Sequence, residues 1–415
     1  MRKSVFSIVS AVVLLIGSED VWAQAFNSGS TGALGAFSPA TNTVVTLPAD
    51  GILNYTTVTI PAGVTVTFQR NATNTPVTML ATGNVTIAGI INVNGQNSIT
   101  ASGAGAGPIP GGLGGPGGFD GGQSGSLSAG TGQNGSAGRG SGGGQAGLFT
   151  PTSTTGDGLY GPDTMIGLIP LFGGSGGGGG GRIIGGTIDG GSGAGGGGAI
   201  VIASTTQIVV SSGGQILANG GQGLRFACSY QSGGGGSGGA IRLVAPSISN
   251  QGQIQALGST VGCPGPAGPG RIRVEAFSFP IFNTTSPAPS LVTSPGPVTA
   301  ASTPALTSLP TLKITTIGGV SVPASPTGAY ATPDVFLPAG TTNPITVTLT
   351  ATNTPPGTIF RIQVMPQFAP VVAPVNTAPS TGTCTSSTAS ATVTVPVAQV
   401  ASIKAYSAAF DFSCP

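Results

Sequence analysis

Three and a half copies of one short pattern constrain this chain more than any other feature. The first is PVTMLATGNVTIAGIINVNGQ from Pro76 and the second GGAIVIASTTQIVVSSGGQILANGG from Gly197. The third is GGAIRLVAPSISNQGQIQALGS from Gly238, and GPGRIRVEA begins a fourth at Gly268. Each copy sets apolar residues two apart in three groups, such as Ile200/Ile202, Ile208/Val210 and Ile216/Ala218. That alternation is the period of a half-buried strand, because successive side chains point to opposite faces. Three short strands split by bends such as Ser-Ser-Gly-Gly make one coil of a parallel solenoid. A single coil cannot bury its apolar face alone, so the copies must stack. The competing fold is an antiparallel sandwich of short strands. Equivalent groups returning in order after long insertions favour the solenoid.

Residues 1–23 read as a signal peptide. Arg2 and Lys3 precede a mostly apolar Val5–Ile16, and Val21-Trp22-Ala23 offers a small-residue cleavage site. The apolar stretch is short for a membrane span, so the expectation is export without a span after signal removal. Extracellular, cell-surface and periplasmic destinations all fit. Charged residues make up only 5% of the chain and the net charge is +2, which gives no footprint for nucleic acid. Four cysteines fall into local pairs, Cys228 with Cys263 and Cys384 with Cys414, and an even count in an exported chain is read as disulfides.

Between the first and second copies lies a glycine-rich insertion, about residues 96–198, inside a solenoid expected over residues 24–279. More than half of the 75 glycines fall between residues 101 and 200. Such sequence is either a solvated excursion or a set of glycine-rich strands side by side in polyproline II geometry. Tyr160, Met165, Ile166, Leu168, Ile169 and Leu171 make part of it too apolar for a free linker. Residues 280–310 read as a Pro/Ser/Thr-rich linker. Residues 311–415 then give short strands at Leu312–Ile317, Ile345–Leu349, Phe360–Val364, Ala391–Val395 and Val400–Tyr406. The pattern fits a small antiparallel β-sandwich, immunoglobulin-like or fibronectin-like.

The chain has no histidine, which removes Ser-His-Asp and Cys-His catalysis and imidazole-bound metals together. The string G-x-S-x-G occurs at Gly173–Gly177 and Gly235–Gly239, where composition alone accounts for it. Asp157 and Asp163 are the one carboxylate pair close enough in sequence for glycoside chemistry, although turn aspartates beside glycine explain them as well. No cofactor and no metal site is expected. Arg242 and Arg273 occupy equivalent outward positions in consecutive copies, with Arg271 beside them. Like charges one coil apart repel unless an anion or Glu275 intervenes, so the three arginines are a candidate patch for an anion or acidic glycan. Thr57, Thr59, Thr65 and Thr67 face outward and could order water or ice, but threonine is also a good strand residue.

The GGAI-x-L-x-A…G-x-I-x-A-x-G-G pattern, with its glycine-rich insertions and closing GPGRIRVEA, resembles glycine-rich secreted bacterial β-helix proteins. It is more distantly similar to the passenger regions of bacterial adhesins. The resemblance covers about residues 40–279 and implies a right-handed parallel β-helix with a non-catalytic surface role. It carries no functional residues with it. The expectation is therefore an exported, non-enzymatic protein, adhesive or structural, whose partner is polysaccharide or another surface protein. The alternatives are a polysaccharide-degrading lyase or hydrolase and, more weakly, an ice- or mineral-binding protein.

Overall fold

The computed structural model describes residues 26–99, 108–125, 132–148, 156–160, 168, 171–182, 190–224, 231–261, 266–298, 311–324, 326, 333–352, 354, 358–366, 372, 375–383, 385–396 and 400–407. Among these the secondary structure is all β, and no helix is long and apolar enough to cross a membrane. The chain opens with β1 (Thr43–Thr46), β2 (Ile52–Tyr55), β3 (Val58–Ile60) and β4 (Thr65–Gln69). It continues with β5 (Val77–Ala81), β6 (Val85–Ile87) and β7 (Ile90–Asn92). Next come β8 (Ala199–Ser204), β9 (Gln207–Val210) and β10 (Gln215–Leu217), then β11 (Ala240–Val244), β12 (Ser247–Asn250) and β13 (Gln253–Gln255). β14 (Arg271–Glu275) and β15 (Ser290–Val292) close the series.

These strands form three parallel sheets: a first ordered β1-β4-β7-β10-β13, a second ordered β15-β14-β11-β8-β5-β2, and a third ordered β12-β9-β6-β3. From β2 onward the chain visits the second, third and first sheets in unchanging rotation. In-register pairing aligns the inward residues of successive turns. Val66, Ile91, Ile216 and Ile254 stack in the first sheet, and Leu53, Met79, Ile202, Leu243 and Val274 in the second. Val58, Val85, Ile208 and Ile248 stack in the third. All belong to one continuous buried cluster, each side chain contributing roughly 1.5–3 kcal/mol of transfer free energy.

Thr56 and Thr57, between β2 and β3, turn the chain from the second sheet into the third. One boundary differs from the expectation. The linker expected over residues 280–310 does not start at residue 280. Ser278 bridges Ser247, Phe282 bridges Asn250, Ser286 bridges Gln255, and β15 pairs with β14, so residues 278–292 complete a further turn. Backbone pairing, rather than an apolar period, places these residues, and a periodicity argument passes over them. Asn250 takes the inward position held by Ile60, Ile87 and Val210 in earlier turns. It is fully buried, accepts from the Gly252 N–H at 3.1 Å, and donates to the Asn283 carbonyl at 3.3 Å. That polar side chain ties down the last turn.

The glycine-rich segments pack against one another where the first sheet hands the chain to the second. β7, β10 and β13 run out into them, and β8, β11 and β14 return from them. Residues 174–180 form the centre. The N–H groups of Gly174, Gly177 and Gly180 donate to the carbonyls of Gly197, Ala194 and Gly191. Those of Gly176 and Gly179 donate to Arg139 and Ser136, and that of Gly178 to Gly156. In return, the carbonyls of Gly174, Gly177 and Gly180 accept from Phe119, Gly122 and Gly125. Those of Gly176 and Gly179 accept from Gly144 and Gly147, and those of Ser175 and Gly178 from Ser237 and Gly234. The partner segment therefore changes with a period of three residues, the repeat of a polyproline II chain. Six different segments surround the central one. The excursion is thus a backbone-bonded lattice and not a solvated loop across these residues. A Cβ on Gly177 would collide with the Gly234 carbonyl, and one on Gly178 with that of Gln145, which is why the run is glycine.

The C-terminal strands are β16 (Thr311–Ile317), β17 (Val320–Ser321), β18 (Ile345–Thr352), β19 (Phe360–Pro366), β20 (Val375–Thr377), β21 (Thr381–Gly382), β22 (Ser387–Val393) and β23 (Ala401–Ser407). They make two separate antiparallel sheets, β17-β16-β18-β22-β21 and β20-β19-β23. Val347, Leu349 and Ala389 of one sheet meet Phe360, Ile362 and Val364 of the other in a single buried cluster. The five strands read from the sequence are all present, and the three additional ones have only two or three residues. Residues 1–23 and all four cysteines, Cys228, Cys263, Cys384 and Cys414, lie outside the described residues.

Candidate functional site

Arg242 and Arg273 are in-register neighbours on β11 and β14, as the repeat alignment requires. They do not form a solvated anion patch. Arg242 is only 5% exposed and Glu275 1%. Arg242 Nε donates to Glu275 Oε1 at 2.8 Å and its Nη2 to Oε2 at 3.1 Å, while Arg273 Nε reaches Oε1 at 2.6 Å. The Gly296 N–H donates to Oε2 at 2.7 Å, and Arg242 Nη2 also reaches the Pro297 carbonyl. Burial alone would raise the Glu275 carboxyl. The hydrogen bonds and charge of Arg242, with those of Arg273 and Gly296, outweigh it and hold the group below its ordinary value. Arg271 lies over the Tyr160 ring at 5.4 Å. Burial pushes the Tyr160 phenol well above its ordinary value despite Arg271, and its hydroxyl donates to the Phe172 carbonyl.

The physical reason is that the outer face of the second sheet is covered. Phe26, Leu171 and Val298 pack on Leu80, Val201, Ala203 and Val244, while Tyr160 and Leu168 pack on Ala199 and Ala240. Alternation says which residues point outward. It does not say what lies outside.

The other sequence candidates separate in the same way. Ser175 and Ser237, the serines of the two G-x-S-x-G strings, are buried in the lattice. Ser237 Oγ accepts from the Ser175 N–H at 2.8 Å, and Ser175 Oγ accepts from the Gly142 N–H at 3.0 Å. Asp157 Oδ1 accepts from the Gly235 N–H at 2.6 Å, and Asp163 lies outside the described residues. Thr59 stacks on Thr86, but the column continues as Val209 and Ser249, so no threonine ladder runs the length of the third sheet.

What sequence reasoning missed is a cleft of about 1650 Å³ between the lattice and the C-terminal sheets. Phe119, Asp120 and Arg139 line one wall, and Lys313, Phe336 and Lys404 the other. Asn134, buried in the lattice, donates to the Pro366 carbonyl at 2.6 Å and joins the two parts. Asp120 is held by Arg70 and by the Gly114 N–H at 2.9 Å, and the half-exposed Arg139 guanidinium stands 3.9 Å from its other oxygen. Burial lowers the Lys404 ammonium from its ordinary value. The walls come from residues more than 170 positions apart, and no local spacing announces them. Phe336 is 76% exposed, an isolated aromatic in a connector, which was the one available signal. No group of three metal-ligating side chains gathers among the described residues. Comparison with protein-family models, curated proteins and solved structures finds no match.

Proposed function

We propose that this chain is exported and serves, without catalysis and without a cofactor, as an adhesive or structural component at the cell surface or in extracellular matrix. In this reading residues 1–23 are removed as a signal peptide. The rotation through three parallel sheets is a right-handed β-helix, and the two antiparallel sheets are a small immunoglobulin-like or fibronectin-like sandwich. Cys228 pairs with Cys263 and Cys384 with Cys414. The observation that carries the reading is the glycine lattice. There Asp157, Ser175 and Ser237, side chains of catalytic type, are taken up in internal hydrogen bonds. A body held by its own backbone is suited to standing rigidly outside a cell and presenting a surface.

The test has two arms. An epitope-tagged chain in its source cells should be degraded when protease is added to intact cells; protection until lysis would overturn surface exposure. The purified mature chain, incubated with soluble and insoluble polysaccharides, should generate no new chain ends. New ends would replace this reading with a polysaccharide-degrading enzyme.

A further inference from the structure

The chain uses cations and aromatics sparingly. Only 12 residues are Lys or Arg, and aromatics make up 5%. Three of those cations, Arg139, Lys313 and Lys404, nevertheless line one cleft, against the carboxylates of Asp120 and Asp334. Arg70 and Arg139 share Asp120, so with Lys313 and Lys404 four cations stand against the two carboxylates and the net charge around the cleft is positive. Phe336, on the same wall as Lys313, is the most exposed large hydrophobic residue among those described. Leaving such a ring in water forgoes about 1.5–3 kcal/mol of burial, and its exposed face is the kind that packs on the C–H face of a sugar ring. At about 1650 Å³ the cleft exceeds the roughly 300–1,000 Å³ of a site for one small molecule and suits a run of several saccharide units. Three cations are too few for the dense phosphate contacts of a nucleic acid.

We propose that this cleft binds an acidic polysaccharide, with uronate carboxylates on Arg139, Lys313 and Lys404 and a sugar face on Phe336. The inference deepens the surface reading above and rests on it for its setting, but it fails separately. The mature chain is titrated against polygalacturonate, alginate and neutral dextran at low and high salt. The same is done for Arg139→Ala/Lys313→Ala, Phe336→Ala and Arg139→Lys/Lys313→Arg, each checked for an unchanged thermal midpoint. Binding of at least one acidic polymer and not dextran is expected, weakening with salt. The double alanine variant should lose about tenfold or more in affinity, as loss of one or two charge-assisted hydrogen bonds implies. Phe336→Ala should lose several-fold, and the charge-conserving variant should retain most of the affinity. Acidic-polymer binding that the double alanine variant keeps would overturn the cleft while leaving the surface role standing. So would equal affinity for dextran. Absence of binding to every acidic polymer would overturn the cleft assignment outright, with protease exposure on intact cells still deciding the surface role.

Discussion

Glu275 is the residue on which the far end of the parallel sheets depends. It neutralises two arginines that register alone would set against each other. Replacing it with Gln leaves Arg242 buried without a counter-charge, and a loss of about 3–5 kcal/mol is expected in denaturant unfolding. The pH dependence follows from the direction of its shift. The folded carboxyl titrates below its ordinary value of 4.5, so the unfolded chain takes up the proton first as pH falls. The contribution is complete above that ordinary value and is lost as pH falls through the folded one. Unfolding free energy measured from pH 7 to pH 3 should drop on the acid side, and the drop should be smaller in Glu275→Gln. Gly177 gives a second test at this scale. Its absent side chain lets the Gly234 carbonyl approach, so Gly177→Ala should cost about 3 kcal/mol or more, the upper end of overpacking. At Gly268 an added Cβ would meet its nearest atom at 3.2 Å, and Gly268→Ala should cost about 1 kcal/mol or less by the same measurement.

Among the elements, the turn formed by residues 278–292 has the most consequence for its size. β15 covers the edge of β14, and the segment after it brings Gly296 to Glu275 and Val298 to the outer face of the second sheet. A chain ending at residue 279 therefore exposes an unpaired strand edge and opens the ionic cluster. Its thermal midpoint should fall by several degrees, and it should aggregate more readily, relative to a chain ending at residue 298. Strands were legible because Ile, Val and Leu return at period two and in order. The extra turn was not, since Ser278, Ser286 and Ser290 have no such period and are placed by pairing with strands already formed. Glycine segments were legible only as a choice between two states. What decides between them is six neighbours around one segment, and nothing within seven residues of glycine and serine can report that.

At the scale of the whole molecule, the parallel and antiparallel parts have separate buried clusters and meet across a cleft. Residues 24–298 should fold without residues 311–415, keeping a β-sheet circular dichroism spectrum and a cooperative thermal transition. Loss of that transition would mean that the contact through Asn134 is needed for the lattice to form. The truncated chain should also lose affinity for acidic polysaccharide, because Lys313, Phe336 and Lys404 go with the removed wall.

By itself the sequence determined the strands of the repeated copies, their order and their inward residues, because period-two alternation follows directly from backbone geometry and needs no knowledge of neighbours. It also determined the pairing of Arg242 with Arg273, since equivalent positions in consecutive copies fall side by side. Only the tertiary structure decided that these arginines converge on a buried Glu275, that the glycine runs form a lattice, and that a cleft lies between the two parts. Each of those depends on segments far apart in the chain coming together, and the free energy of such contacts is not written in any local stretch of residues.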